Sequence, residues 1–467
     1  MKKIKEQGFS KLIFFIFEIF SIISCIRCMI FINIENKIFI TSLPFGFLLI
    51  TLLFYKNYRI AKDNVTFLII ETLYFVRLSL LPFLYSFNCN IQLFEGKKYV
   101  GSFINKSCLL MLYEFLAIQF IIYLHIYLKN INKIKVVYSR VKGDISKFLI
   151  IGISCFIIII YIFMPQYSVK FKNIFDLSDA NFTIAESNIT YQIGSVGRII
   201  KTLFSMCFQI FRILFPAYII RKLYEKKSNS KWIMVTLLIA CLTQFLFLTS
   251  TFAEAIVACL AIILYYIHLF PEKKKKMFKL VIICTLGIMI LYFSVRYFVK
   301  IDTSLYSKSN GPILYMTQII SAYFTGVDNV AAIFNVDKTF KLEAFKAGLL
   351  GAIPFNSTLF GNRGNKLQYF YNNYNGAYGQ IPPTIGAGYY YFGTFLAPII
   401  SMLFVKLSLV YYDKAQKTDK SIKYIAEIFC SIIFVLGTVM YSPSITLAWF
   451  FGWGVPMLIL TSFTGEK

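Results

Sequence analysis

Apolar runs of roughly 20 residues recur along the whole chain, and a run of that length is what a helix needs to cross the hydrocarbon core of a bilayer. Twelve such runs are legible, at 12–32, 38–55, 65–87, 107–128, 147–165, 197–219, 232–250, 252–270, 279–299, 386–411, 424–441 and 444–462. The expected fold is therefore all-α, a polytopic integral membrane protein of about 12 transmembrane helices. Composition agrees, with 58% hydrophobic residues, 15% charged and a mean hydropathy of +0.67, values that exclude a soluble globular enzyme. The first run is too long, and too poor in small residues at its end, for a cleaved signal peptide, so it is expected to be retained as a span.

Forty-eight Lys and Arg against 22 Asp and Glu give a net charge of +26. In a soluble chain that would suggest nucleic acid, but here the charge sorts by loop. With the N-terminus inside, the seven inner segments, among them KNINKIKVVYSRVKGDISK, RKLYEKKSNSK and PEKKKKMFK, carry 28 Lys and Arg, whereas the five short outer loops carry only six. That asymmetry sets both termini on the cytoplasmic side of a bacterial cytoplasmic membrane, with no nucleic-acid partner. Ten cysteines fall mostly within apolar runs, and the Cys25–Cys28 pair lacks a second pair or a nearby His, so neither a disulfide framework nor a zinc site is expected.

Three segments follow: residues 1–299 with nine spans, residues 300–385 as a long external loop between spans 9 and 10, and residues 386–467 with the last three spans. Loops beyond about 15 residues are functional or disordered, and this one is too apolar to be disordered. Its 312–334 stretch has helical spacing, and 343–353 fits a short amphipathic helix. Beyond these it is rich in Asn and Tyr. Aromatic rings pack on the C–H face of a sugar while amides and phenols bond its hydroxyls, which nominates Tyr323, Asn329, Arg363, Tyr374, Asn375 and Tyr378 as sugar contacts. An interfacial aromatic belt with turn-forming Asn fits the same composition.

Charges within the spans are costly and mark function or pairing. Arg198, Lys201, Ser205, Gln209 and Arg212 are spaced by 3, 4, 4 and 3, which puts all five on one face of the sixth span. Arg77 and Arg296 also lie toward the outer leaflet. Arg bonds phosphate bidentately, so Arg77, Arg198, Lys201 and Arg296 are candidate diphosphate ligands. Intramembrane ion pairing with Glu18, Glu71, Glu114, Glu254 or Glu427 is the competing role. Acid–base candidates are Glu254 and Asp328, with Glu114 also in reach. His125 and His268 both fall at inner span ends, so metal-independent chemistry without a cofactor is expected. Neither a phosphate-binding G-x-x-x-x-G-K-[ST] loop nor a G-x-S-x-G nucleophile turn is present.

The segments SAYFTGVDNVAAIFN (321–335) and IPPTIGAGYYYFGTFLAPI (381–399), with the long loop between late spans, resemble the Wzy-type oligosaccharide repeat-unit polymerases. The resemblance implies a GT-C-like membrane glycosyltransferase that joins undecaprenyl-diphosphate-linked oligosaccharides into O-antigen or capsule at the outer face of the membrane. It also implies possible partners of the same pathway, a chain-length regulator and a flippase. An Arg followed eleven residues later by Gly, described in part of that family, is not matched, because Arg363 has Tyr374 at that position. A lipid-linked oligosaccharide flippase or exporter, or an O-antigen ligase, are the alternative readings.

Overall fold

In a computed structural model the described residues are 2–32, 37–61, 64–87, 100–131, 147–168, 194–226, 230–247, 252–273, 287, 294, 311–359, 366–377, 379–418 and 421–462. Among them the chain is helical, without a strand. Of the twelve apolar runs, 279–299 falls outside the described residues apart from two isolated positions, 386–411 is broken, 38–55 is interrupted at Phe54, 248–250 of the 232–250 run lie outside the described residues, and the rest are mainly helical.

The first part contains α1 (Lys2–Phe31), α2 (Lys37–Leu53), α3 (Tyr55–Ala61), α4 (Val65–Tyr85), α5 (Ile104–Ile131) and α6 (Lys147–Phe163). They are followed by α7 (Ser195–Glu225), α8 (Ser230–Leu246) and α9 (Phe252–Leu269). After the short helices of the 311–377 region come α15 (Thr384–Phe392), α16 (Ile399–Lys417), α17 (Lys423–Val439) and α18 (Pro443–Ser462). Five helices are long and apolar enough to cross a membrane: the 12–31 part of α1, α4, the 101–128 helix containing most of α5, α7 and α18. A row of exposed apolar side chains on α1, including Ile16, Ile19, Ile23 and Ile30, is the kind of surface that lipid or another apolar face covers favourably.

The core is organised on α17, in which every residue from Tyr424 to Val439 is buried. A helix that is apolar all round belongs at the centre of a bundle, and α4, α9, α16 and α18 all pack on it. Two helices carry a π turn, Val76–Leu80 within α4 and Phe450–Gly454 within α18. Such turns re-aim the side chains they contain, and the first of them holds Arg77.

The 386–411 run was expected to be one span, and this is corrected: Gly393 has φ +83 and ends α15, and residues 394–398 turn before α16 begins after Pro398. A Cβ on Gly388 would stand 2.0 Å from the Ala397 carbonyl oxygen, so the turn folds back against α15 where only glycine leaves room. The 312–334 stretch is likewise two helices, α10 (Gly311–Tyr323) and α11 (Val327–Ala332), separated at Thr325 and Gly326. With α12 (Lys341–Gly351), α13 (Asn356–Leu359) and α14 (Lys366–Asn375) they form an ordered cap. Its small core joins Ala331, Ile333, Ala344, Leu367, Tyr371 and Tyr390.

Candidate functional site

Two buried polar centres stand out, one where the cap meets the long helices and one among the long helices α7, α8 and α9. The first is built on the turn between α10 and α11. Thr325 adopts φ +43, a left-handed conformation that a β-branched residue enters only under constraint. The constraints are visible: Arg77 Nε donates to the Thr325 carbonyl at 2.9 Å, and Thr325 Oγ1 donates to the Val439 carbonyl at 2.7 Å. Asp328, in the first turn of α11, accepts at Oδ1 from Tyr85 Oη at 2.9 Å and from Ser321 Oγ. Burial pushes the Asp328 carboxyl above its usual range, with the two hydroxyls opposing the shift. Asn329 Nδ2 donates to the Ser321 carbonyl at 3.1 Å, and Tyr371 Oη donates to the Asn329 carbonyl at 2.8 Å. The Asn329 Oδ1 atom is buried and has no hydrogen-bond partner among the described residues.

Arg77 joins this centre to the bundle. Its Nη1 contacts Glu114 Oε2 of α5 at 2.6 Å with both side chains fully buried, Ser401 of α16 donates to the other Glu114 oxygen, and Arg77 Nη2 has no hydrogen-bond partner among the described residues. Arg77, Asp328 and Asn329, nominated separately from sequence, thus belong to one connected cluster.

The second centre is the α7 stripe. Gln209 Nε2 donates to Glu254 Oε2 at 2.8 Å and Arg212 Nη1 lies 3.7 Å from the same oxygen. Gln244 of α8 closes the group: Arg212 donates to its side-chain oxygen at 2.6 Å and to its carbonyl at 3.0 Å, while Gln244 Nε2 returns a bond to the Arg212 carbonyl at 2.9 Å. Further along the same face Lys201 and Arg198 are half-buried, and Arg198 Nε is buried without a hydrogen-bond partner among the described residues. On another flank of α7, a groove of about 550 Å³ opens between α6, α7 and α8. Ile158, Tyr161, Phe208, Phe211 and Phe215 line it, and Arg212 and Gln244 reach its wall.

Tyr441, at the end of α17, is buried and packs on Trp449 at 4.7 Å between ring centroids. Thr384 Oγ1 of α15 meets the Gly437 and Tyr441 carbonyls at 2.6 and 2.7 Å, so the 437–441 turn is held by Thr384 on one side and Thr325 on the other. The two sequence segments singled out above each supply one of these threonines.

Other nominated residues fare differently. Asn375 is fully buried and structural: its Nδ2 donates to the Ala332 and Tyr371 carbonyls at 3.0 and 2.8 Å, and its Oδ1 accepts from Asn335 at 2.8 Å. Two of these three bonds, to Ala332 and Asn335, tie α14 to the 332–335 segment. Tyr374 is exposed beside it, and Tyr323 is half-buried at the end of α10. Arg296, Arg363 and Tyr378 lie outside the described residues. Sequence reading missed Tyr85, Gln244 and Tyr441, whose uncharged side chains give no alarm in an apolar run. Among the described residues no group of three or more His, Cys, Asp or Glu is placed to hold a metal ion.

Asp328 carries a pH prediction. Because its folded-state pKa is raised, the native state holds its proton where the unfolded chain has lost it, so this group's contribution to stability falls as pH rises through and above the normal carboxylate range. Asp328→Asn is expected to flatten that part of the profile of thermal midpoint against pH; an unchanged slope would remove Asp328 as its source.

Comparison of the chain with protein-family models, with curated proteins and with solved structures gave no match in any of the three.

Proposed function

We propose that the chain is a membrane glycosyltransferase that polymerises undecaprenyl-diphosphate-linked oligosaccharide repeat units into surface polysaccharide at the outer face of the bacterial cytoplasmic membrane. The observation that carries this reading is the arrangement on α7, where half-buried Arg198 and Lys201 stand on the polar face and an apolar groove opens on another. A lipid diphosphate needs both surfaces, cations for the head and an apolar channel for the tail; Arg198 and Lys201 precede Phe208, the first α7 residue of the groove, by about two turns of helix or more.

In the proposed reaction an acceptor hydroxyl oxygen attacks the anomeric carbon of the donor sugar. The bond from that carbon to the phosphate oxygen breaks, and the lipid diphosphate departs with the electron pair. Arg198 and Lys201 stabilise the charge gathering on it, as preorganised donors do for any developing oxyanion. The hydroxyl proton passes to a carboxylate. Asp328 is the better base, because burial keeps it basic while the charge of Glu254 is tied to Arg212. Tyr323 and Tyr374, at the edge of the cap, offer rings for the acceptor sugar.

The test is to supply purified protein with its undecaprenyl-diphosphate repeat unit in detergent, without nucleotide, and to separate products by size. A ladder of multiples is expected; unchanged single units would overturn the reading. Arg198→Ala should insert and purify normally yet lower the rate about 10²–10³-fold, the usual effect of removing one oxyanion donor. Normal chain lengths at the normal rate would exclude Arg198 from the site.

A further inference from the structure

We propose that Arg27 binds the phosphodiester of an anionic phospholipid at the shared end of α1 and α4. The proposal is independent of the glycosyltransferase reading and requires only a bilayer around these two helices.

The site is built where two long apolar helices finish together. Arg27 lies one turn before α1 ends at Phe31, and Ser86 and Phe87 directly follow Tyr85, the last residue of α4. One turn of helix is about 5 Å, a distance that an arginine side chain spans to reach headgroup level. The guanidinium carbon stands 3.8 Å from the Phe87 ring centroid, 4.9 Å from that of Phe31 and 5.2 Å from that of Phe83. Its Nε donates to Ser86 Oγ at 2.8 Å, and Ser86 in turn donates to the Phe83 carbonyl at 2.5 Å. Three rings and one hydrogen bond therefore fix the direction of the group.

What they leave open is the outer fork. Aromatic faces attract the cation, but guanidinium donors lie in its own plane and are not satisfied by the rings. Arg27 Nη1 and Nη2 have no hydrogen-bond partner among the described residues, and Arg27 forms no ion pair among them. Arg77 and Arg212 show the internal alternative, since each meets a glutamate, Glu114 and Glu254. Arg27 is half-buried, and Ile23, Ile26 and Ile30 beside it on α1 are exposed, so its counter-charge comes from whatever covers that apolar surface.

A phospholipid supplies both parts. Its phosphodiester offers one negative charge and two non-bridging oxygens to the two Nη groups, and its acyl chains cover the isoleucines. The position also separates this phosphate from the proposed diphosphate: α1 packs on α2 and α4, whereas α7 packs on α6, α8 and α9.

The experiment follows the melting temperature of the purified full chain in detergent against added dioleoyl phosphatidylglycerol. Dioleoylglycerol is the phosphate-free control, and inorganic phosphate and farnesyl diphosphate are the other phosphate sources. Phosphatidylglycerol is expected to raise the wild-type melting temperature saturably, as a ligand of the native state does, while dioleoylglycerol and inorganic phosphate do not. Arg27→Gln should need at least about tenfold more phosphatidylglycerol for the same shift, the effect of losing charge-assisted hydrogen bonds. Phe87→Leu keeps the charge and removes the nearest ring, and should weaken binding about threefold. Equal titrations for wild type and Arg27→Gln would overturn the assignment, as would an equal shift from dioleoylglycerol or inorganic phosphate. An Arg27-dependent shift produced by farnesyl diphosphate alone would give the fork to the lipid diphosphate and overturn the phospholipid. Should Arg27→Gln fail to fold, Phe87→Leu carries the test, and a titration equal to wild type there would overturn the proposal.

Discussion

Replacing Arg77 by methionine is expected to destabilise the protein by about 3–5 kcal/mol, the cost of leaving one member of a buried ion pair without the other. Arg77 and Glu114 are both 0% exposed, and the pair links α4 to α5 through the 2.6 Å contact. Without the guanidinium, Glu114 keeps the hydroxyl of Ser401 but faces an apolar interior with a full charge, and the Thr325 carbonyl loses its donor. Glu114→Gln should be destabilising for the complementary reason, since it strands the cation. The informative variant is the double one. Arg77→Met with Glu114→Gln removes both charges at once, so its loss should be much smaller than the sum of the single losses. Thermal unfolding of the purified proteins in one detergent measures all four. Single variants that melt with wild type, or losses that simply add, would show that the pair is not the unit of stability inferred from its geometry.

This pair also shows where sequence reading succeeds and where it stops. Hydropathy located the helices because apolar length is a local property, and the helical boundaries of α4, α5, α7 and α17 fall within a few residues of the apolar runs that mark them. Spacing likewise revealed the polar face of α7. Periodicity reports which face is polar, however, and says nothing of what it meets. Arg212 could be assigned to a ligand or to any of several carboxylates; in the fold it is enclosed by Gln209, Glu254 and Gln244, two of them on other helices. Arg198 and Lys201, on the same stripe, stay half-buried nearer its end. The Asn- and Tyr-rich composition of the cap suggested sugar contacts, yet Asn375 Nδ2 and Tyr371 Oη donate to carbonyl groups within the cap, and Asn375 Oδ1 accepts from Asn335. A residue type suited to a ligand is equally suited to satisfying buried backbone, and only three-dimensional neighbours separate the two uses.

Breaks within apolar runs were the second blind spot. Gly393 and the Thr325–Gly326 pair interrupt stretches that hydropathy reads as continuous, because the signal for interruption is backbone conformation and not polarity. Both breaks serve the site. The first lets α15 bring Thr384 to the end of α17, and the second turns Asp328 toward Tyr85.

The second break supplies the other large effect. Gly326→Ala is expected to cost about 1–3 kcal/mol as overpacking and to abolish turnover, because the added methyl group has nowhere to go. Its Cβ would stand 2.2 Å from Ser321 Oγ, 2.5 Å from Tyr85 Oη and 2.9 Å from Asp328 Oδ1. All three atoms belong to the hydrogen-bonded group on which the Asp328 carboxylate depends. They can yield only by separating from one another, so the methyl group breaks the cluster even where the rest of the cap remains folded. Gly152→Ala in α6 is the matched control, since no atom lies within 4 Å of its added Cβ. There the same change should be neutral or stabilising by up to ~1 kcal/mol, the helix propensity difference. Measured together, the two alanines separate the general effect of losing a glycine from the local effect of filling this space. If Gly326→Ala retained turnover at the level of Gly152→Ala, the Asp328 group would have to tolerate expansion, and a tightly held base at that position could no longer be maintained.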